Sequence, residues 1–209
     1  YACKKDSLLT GKRQIVSIRA AIKGRGSSSN ITHRFAKTQR QAIADGWAEE
    51  IAQQPVLNTV VSEDRAKNII TSNASPDIPF SRSINPYQGC EHGCIYCYAR
   101  PTHAYWDASP GLDFESKIFY KSNAAELLER ELSRPAYRVE SITLGSNTDP
   151  YQPVEMRLEI TRQIIEVLAR FKHPFSIITK SAGVLRDLPI LAPLAQQNLC
   201  TVNVRDRKS

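Results

Sequence analysis

The chain has 209 residues, of which 41% are apolar, enough for a buried core, and its formal net charge is +7. No segment reaches the roughly 20 consecutive apolar residues of a membrane-spanning helix, and the first residues lack the apolar stretch of a signal peptide. We therefore expect a cytoplasmic protein with no membrane partner. The excess of positive charge permits contact with an anionic partner such as nucleic acid.

The first third of the chain is weakly patterned. A basic stretch rich in glycine and serine, residues 23–30, predicts a mobile arm, and residues 38–54 predict a weak helix. We assign residues 1–75 to a basic N-terminal extension that is weakly ordered and partly flexible. Because the chain begins at Tyr1 and ends in a charged run, residues 205–209, directly after an apolar strand, we expect it to be a fragment.

From residue 82 onward, short apolar strands alternate with amphipathic helices. This alternation is typical of βαβ units and predicts a parallel sheet, whose ligand sites gather where the carboxyl ends of the strands open into loops. Asn123 with Glu126, and Asp187, are candidate helix caps. The predicted strands are 82–85, 141–145, 175–179 and 200–204, and the predicted helices are 123–133, 155–171 and 188–197.

The most informative feature is the block GCEHGCIYC, in which Cys90, Cys94 and Cys97 form a CxxxCxxC triplet. Three of the five cysteines are crowded into this loop, which fits metal ligation in a reducing compartment better than a disulfide framework. Three thiolates on one loop can hold three corners of an iron–sulfur cube and leave the fourth iron open to a small molecule. The alternative is a zinc site completed by His92 or His103, although zinc modules usually bring two separated ligand pairs.

Polar residues also follow the next two predicted strands, in the loop 146–152 and at Lys180. Because the carboxyl ends of parallel strands meet at one edge, we expect these residues and the cysteine loop to face one rim. Asp149 is also an ordinary turn former, and Lys180 is also consistent with a solvated strand end. Three residues just after the cysteine loop either line a substrate pocket or brace the loop: Arg100, His103 and Trp106.

The region that carries these motifs resembles a known protein family. The CxxxCxxC triplet with an aromatic residue before its last cysteine is similar to the signature of the radical S-adenosylmethionine (SAM) superfamily. Within that superfamily, the segments SINPYQGCEHGCIYCYARPTHAYW, GLDFESKI, SNTDPYQPVE and TKSAGVLRD resemble the branch related to spore photoproduct lyase, often labelled DNA repair photolyase. The resemblance covers roughly residues 72–204. It implies that residues 76–209 form the incomplete N-terminal part of a partial parallel (β/α) barrel of radical SAM type.

The resemblance also implies a pair of cofactors. In the superfamily the three cysteines hold a 4Fe-4S cluster, and SAM chelates the fourth iron through its amino and carboxylate groups. Reductive cleavage of SAM then gives a 5′-deoxyadenosyl radical that abstracts hydrogen from the substrate. The matching cluster ligands are Cys90, Cys94 and Cys97; the matching SAM positions are Tyr96 beside the adenine, Ser146, Asn147, Thr148 and Asp149 near the amino group, and Lys180 near the carboxylate.

Partners follow from the same resemblance. It implies an electron donor of flavodoxin-like or ferredoxin-like type, and the photolyase label together with the positive charge points to nucleic acid as the candidate substrate. No catalytic residue is assigned beyond the cluster ligands. The competing hypothesis is a non-catalytic, zinc-containing module that binds nucleic acid through its basic arms.

Overall fold

The computed structural model describes residues 25–35 and 57–205, and within these ranges the chain forms a mixed α/β fold with two mixed β-sheets. The strands are β1 (Val60–Glu63), β2 (Thr71–Ser72), β3 (Arg82–Ile84), β4 (Tyr87–Gln88), β5 (Lys117–Tyr120), β6 (Ile142–Leu144), β7 (Phe175–Thr179) and β8 (Cys200–Val204). The larger sheet has the strand order β2-β3-β6-β7-β8, and the smaller has the order β1-β5-β4.

Four parallel strands form the body of the larger sheet. Strands β3, β6, β7 and β8 pair in parallel, while β2 runs antiparallel to β3 at one edge. These are the four strands that the alternation of the sequence predicts, and their observed bounds agree with the predicted ones to within a residue. The prediction of an α/β fold with parallel strands is therefore confirmed, and the carboxyl ends of these strands lie on one edge of the sheet.

The smaller sheet leads the chain into the cysteine loop. Strand β1 pairs in parallel with β5, and β5 pairs antiparallel with β4, which follows β3 closely. Residues 57–75, assigned to the extension by sequence, supply a strand to each sheet. Residues 25–31, most of them within the predicted mobile arm, are docked on the chain by hydrogen bonds. The helix predicted at 38–54 lies outside the described residues.

Helices connect the parallel strands as expected, but one of them is interrupted. The predicted helix 155–171 divides at Glu159, which has a left-handed φ of 52°. The buried Glu155 carboxylate accepts hydrogen bonds from the Thr161 amide at 3.0 Å and the Arg162 amide at 3.3 Å, so it caps the second segment. The α-helices are α1 (Leu112–Ser116), α2 (Ala124–Leu132), α3 (Glu155–Leu158), α4 (Ile160–Arg170) and α5 (Leu188–Gln196), and 3₁₀ helices span Arg100–Trp106 and Ala182–Asp187.

The two predicted helix caps make other contacts instead. Asn123 donates from its side chain to the Ala66 carbonyl at 3.0 Å and makes no capping bond to α2. Asp187 is fully buried and binds the Arg162 guanidinium and the Tyr151 hydroxyl, both at 3.0 Å, rather than the first turn of α5. Both residues occupy the N-cap position, as predicted, but neither side chain makes a capping hydrogen bond, because a partner distant in sequence competes with the local backbone for it.

The core lies between the parallel sheet and its helices. Ile142, Leu144 and Ile177 of the strands are fully buried, and they share one apolar cluster with Leu128 and Ile164 of the helices. Cys200 belongs to the same cluster and packs there as a small core residue. Among the described residues, no helix combines the length and the apolar composition needed to cross a membrane.

Candidate functional site

A cavity of about 580 Å³ opens where the loops after β4, β6 and β7 converge at the carboxyl edge of the larger sheet. Its volume lies within the roughly 300–1,000 Å³ that small-molecule sites occupy. The expectation that the three loops face one rim is confirmed. The cavity wall includes every residue that the sequence assigns to the site: Cys90, Cys94, Tyr96, Cys97, Ser146, Asn147, Thr148, Asp149 and Lys180.

The cysteine loop is a series of tight turns. Gly93 has a left-handed φ of 61°, and its amide donates to the Cys90 carbonyl at 3.3 Å, while the Cys97 amide donates to the Cys94 carbonyl at 3.3 Å. Cys90 is buried against Phe114, and this burial raises the pKa of its thiol to about 12. A metal ion that binds Cys90 would therefore have to displace the proton of this thiol. Cys94 and Cys97 are partly exposed, and none of the three is in a disulfide.

Arg100 braces this loop from below. Its guanidinium donates to the Cys94 carbonyl at 3.0 Å and to the carbonyls of Pro110 and Gly111 at 3.1 Å. It also pairs with the fully buried carboxylate of Glu115 at 2.5 Å. Of the two readings left open by the sequence, pocket lining or bracing, the structure supports bracing for Arg100. Trp106 stacks on the Phe119 ring 5.9 Å away, which is also a bracing contact.

Asp149 ties the three loops together. Its Oδ1 accepts from the Tyr151 amide at 2.9 Å and the Thr179 hydroxyl at 2.7 Å, and its Oδ2 accepts from the Lys180 amide at 2.7 Å. His92 Nε2 of the cysteine loop lies 3.2 Å from Oδ2. Burial raises the pKa of Asp149, but the contacts with His92, the Lys180 amide and Thr179 outweigh it and hold the pKa below its usual value. The carboxylate is therefore ionised, and each of its oxygens already accepts a hydrogen bond from the protein.

Lys180 reaches across the cavity to the cysteine loop. Its Nζ lies 3.4 Å from Cys94 Sγ, donates to the Tyr96 hydroxyl, and stands 4.5 Å from the centre of the Tyr96 ring. The hydrogen bond to Tyr96 raises the pKa of Lys180. Partial burial lowers this pKa, but the contact with Cys94 raises it further, so the pKa lies above its usual value. The site thus carries a fixed cation beside a potential thiolate ligand.

The loop after β6 is held mainly by its own polar groups. Asn85 accepts from the Asn147 amide at 2.8 Å and bonds the Ser146 hydroxyl at 3.2 Å, while the Thr148 hydroxyl donates to the Tyr87 carbonyl at 2.6 Å. Of these side chains, Thr148 is buried, whereas Ser146 and Asn147 are half-buried at the cavity wall.

The two histidines proposed as alternative zinc ligands lie in different environments. His92 lines the cavity, whereas His103 is 1% exposed, faces the ring of Phe114 at 5.5 Å, and has no hydrogen-bond partner at either ring nitrogen among the described residues. Within residues 25–35 and 57–205, no group of three or more His, Cys, Asp or Glu side chains is arranged to hold one metal ion.

Sequence reasoning missed two parts of this site. Ile78, Phe80 and Arg205 also line the cavity. Ile78 and Phe80 lie in an irregular segment before β3, so no strand or helix pattern points to them. The sequence also gives no sign of the role of the buried Glu115, which lies within the segment GLDFESKI. Its role depends on a partner in another loop, so no local pattern distinguishes it from a surface carboxylate.

Comparison with known proteins gives relatives but no named activity. An uncharacterized protein of Mycobacterium tuberculosis is 48% identical over 120 residues, which are 57% of this chain and 35% of the relative. An uncharacterized protein of Methanocaldococcus jannaschii is 31% identical over 107 residues, 51% of this chain and 38% of the relative. No protein-family model and no solved structure matches the chain. The matched region spans little more than a third of each of these curated relatives.

Proposed function

We propose that this chain is the part of a radical SAM enzyme, of the type related to spore photoproduct lyase, that binds a 4Fe-4S cluster and SAM. In this proposal the parallel strands β3, β6, β7 and β8 are the first strands of a (β/α) barrel. The single observation that carries the proposal is the convergence of three thiols, a lysine and the polar loop after β6 on one cavity at the carboxyl edge of the sheet.

The donor set fits a cluster. Cys90, Cys94 and Cys97 are soft thiol ligands on one loop, and all three reach the wall of the same cavity. A cube takes one thiolate per iron, so three ligands leave one iron for a molecule in the cavity. The Lys180 ammonium, 3.4 Å from Cys94 Sγ, offsets part of the negative charge that three thiolates would bring.

The wall of the cavity also fits the three chemical parts of SAM. Lys180 offers a cation to the carboxylate, and Tyr96, 62% exposed, offers a ring face near the adenine. Because both oxygens of Asp149 already accept from protein donors, we assign the contact with the amino group to Asn147 and Ser146. Asp149 then acts by fixing the backbone of Lys180 and the position of His92.

When bound, the cluster and SAM supply one-electron reductive cleavage of SAM and hydrogen abstraction from the substrate. The residues of this chain bind and orient the cofactors and restrict access of water to them. An electron donor of flavodoxin-like or ferredoxin-like type completes the system, and nucleic acid is the proposed substrate class because the chain has a net charge of +7.

The test is anaerobic reconstitution with iron and sulfide, followed by measurement of bound metal. We expect a brown protein with about four iron atoms per chain, and no bound iron in a variant with Cys90, Cys94 and Cys97 all changed to Ala. A Cys200→Ala variant, which alters a buried cysteine of the core, is the matched control and should load normally. A colourless protein with one zinc ion per chain would support the zinc module and refute the cluster.

A further inference from the structure

The buried carboxylate of Glu115 receives hydrogen bonds from two distant parts of the chain. Its Oε2 accepts from the backbone amides of Arg25 at 2.6 Å and Gly26 at 3.0 Å, and its Oε1 pairs with Arg100 at 2.5 Å. Arg100 in turn holds the Cys94 carbonyl at 3.0 Å. Glu115 thus links the N-terminal segment to the cysteine loop through charge-assisted hydrogen bonds.

The same segment touches the cysteine loop directly. A Cβ on Gly26 would overlap the carbonyl oxygen of Gly93, and a Cβ on Gly93 would lie 2.5 Å from the Cβ of Arg25. Gly93 stands between Cys90 and Cys94, so the backbone of the segment lies against the backbone that carries the thiols. Such an approach requires glycine on both sides.

Further contacts extend this docking along the chain. The Ser29 carbonyl accepts from the Leu112 amide at 3.3 Å, and the side chain of Asn30 exchanges two hydrogen bonds of 3.0 Å with Asp113. The Ile31 carbonyl accepts from the Ser109 hydroxyl at 2.8 Å. We call residues 25–31 the N-terminal strap.

We propose that the N-terminal strap is a positioning element that holds the cysteine loop in the conformation that binds the cluster. The inference rests on the proposed function, because it assigns to the strap a role at the same site. The strap does not touch the reacting atoms. It acts through the Gly93 backbone directly, and through Glu115 and Arg100 on the Cys94 carbonyl.

The test uses Gly26→Ala, which adds one methyl group at the contact with Gly93. Ser28→Ala, at an exposed position of the same strap, is the matched control. Three properties are measured in the whole chain: trypsin cleavage after Arg25, the rate at which EDTA removes iron from the reconstituted protein, and the electron paramagnetic resonance (EPR) spectrum of the reduced cluster. We expect Gly26→Ala to accelerate cleavage and to lose iron about tenfold faster, with a changed spectrum, because supporting contacts of metal ligands carry effects of that size.

A second variant keeps the test valid if Gly26→Ala does not fold. Asn30→Asp places a carboxylate against Asp113 at the far end of the strap, which should loosen the strap while every residue of the cysteine loop stays the same. Faster iron loss in this variant, at an unchanged thermal midpoint, supports positioning. Iron retention equal to that of Ser28→Ala, despite faster cleavage after Arg25, would overturn it.

Failure of the proposed function has a different signature. If the unaltered chain takes up no iron, the cluster proposal fails, and the positioning role fails with it. If the unaltered chain binds iron and the strap variants hold it equally well, the positioning role alone is refuted.

Discussion

The two edges of the larger sheet carry cavities of similar size but different construction. The carboxyl-edge cavity, about 580 Å³, is lined by the cysteine loop and the loops after β6 and β7. The amino-edge cavity, about 530 Å³, is lined by the start of β3, the end of α2 and the segment before β6. Its wall carries Lys67, Arg82, Arg130, Glu131, Arg134 and Arg138.

The difference lies in how the charged groups are held. At the amino edge, Arg82 pairs with Glu140 at 3.2 Å, and that carboxylate is 47% exposed. At the carboxyl edge, the carboxylates of Glu115 and Asp149 are 0% and 7% exposed and accept hydrogen bonds from separate loops. Exposed pairs contribute at most about 1 kcal/mol, whereas an unpaired buried charge costs several. The loops at the carboxyl edge are therefore joined through buried, charge-assisted contacts, the kind of support that a binding site requires.

The largest difference between the two edges should appear in iron binding when one cysteine is removed from each. Cys94→Ala should reduce bound iron from about four atoms per chain to below about one, because a cluster that lacks a thiolate is not retained. Cys200→Ala, at the amino end of β8, should leave iron content unchanged. Iron content is measured after anaerobic reconstitution. Equal iron in both variants would mean that the carboxyl edge is not the cluster site.

The next largest difference should appear in stability. Arg100→Leu leaves the buried Glu115 carboxylate without its guanidinium partner and should lower the free energy of unfolding by about 3–5 kcal/mol. Arg82→Leu at the amino edge removes a pair whose carboxylate is half exposed, together with the hydrogen bond to the Arg138 carbonyl, and should cost about 1–2 kcal/mol. Urea unfolding of the two variants measures both values. Similar losses would show that the two edges are not built differently.

Burial lowers the pKa of a histidine near each edge, but the two histidines differ in their hydrogen bonds. His173 near the amino edge contacts Tyr137 and the Pro174 carbonyl, both at 2.9 Å, whereas His103, beneath the cysteine loop, has no described partner at either nitrogen. Burial lowers the pKa of His103 to about 4 from the usual 6.5.

Between these two pH values the unfolded chain binds a proton at this position and the folded chain does not. Stability is therefore intact above pH 6.5 and falls as the pH drops to about 4, by about 3 kcal/mol in total. In His103→Phe, measured by urea unfolding across this range, we expect that part of the acid sensitivity to disappear. An unchanged pH profile would contradict the assignment of a neutral His103.

The smallest expected effect concerns the binding of SAM to reconstituted protein. Lys180→Met removes the cation that we assign to the SAM carboxylate and should weaken binding by about 10-fold to 100-fold, the range of a charge-assisted hydrogen bond. Arg138→Met removes a cation at the amino-edge cavity and should have no effect. Equilibrium dialysis with labelled SAM measures both. A comparable loss in Arg138→Met would indicate a general effect of charge.

The sequence predicts the framework of the fold well because its signals are local. The strand predicted at 175–179 has the same bounds as the observed strand β7. The predicted alternation of strands and helices is also enough to bring Cys94 and Lys180 to one rim. The break at Glu159 is not predictable, because the helical spacing of apolar residues continues across it and does not show that the buried Glu155 carboxylate caps the second segment.

The construction of the site follows from contacts between segments that are far apart in sequence. Asp149 is a turn former, as its bond to the Tyr151 amide confirms, but its other hydrogen bonds depend on Thr179 and Lys180 of another loop. The docking of Gly26 against Gly93 likewise cannot be predicted from a local pattern, because a glycine in a basic, serine-rich stretch is typical of a flexible linker. The chemistry of the site can thus be predicted from its residue types. The contacts that hold these residues in place cannot.

The most direct test of the account is the EPR spectrum of the reconstituted, dithionite-reduced chain recorded with and without SAM. An iron that lacks a protein ligand should bind SAM, so we expect the signal of a reduced 4Fe-4S cluster to change when SAM is added. A cluster signal that SAM leaves unchanged, or a protein that holds zinc and gives no cluster signal, would contradict it.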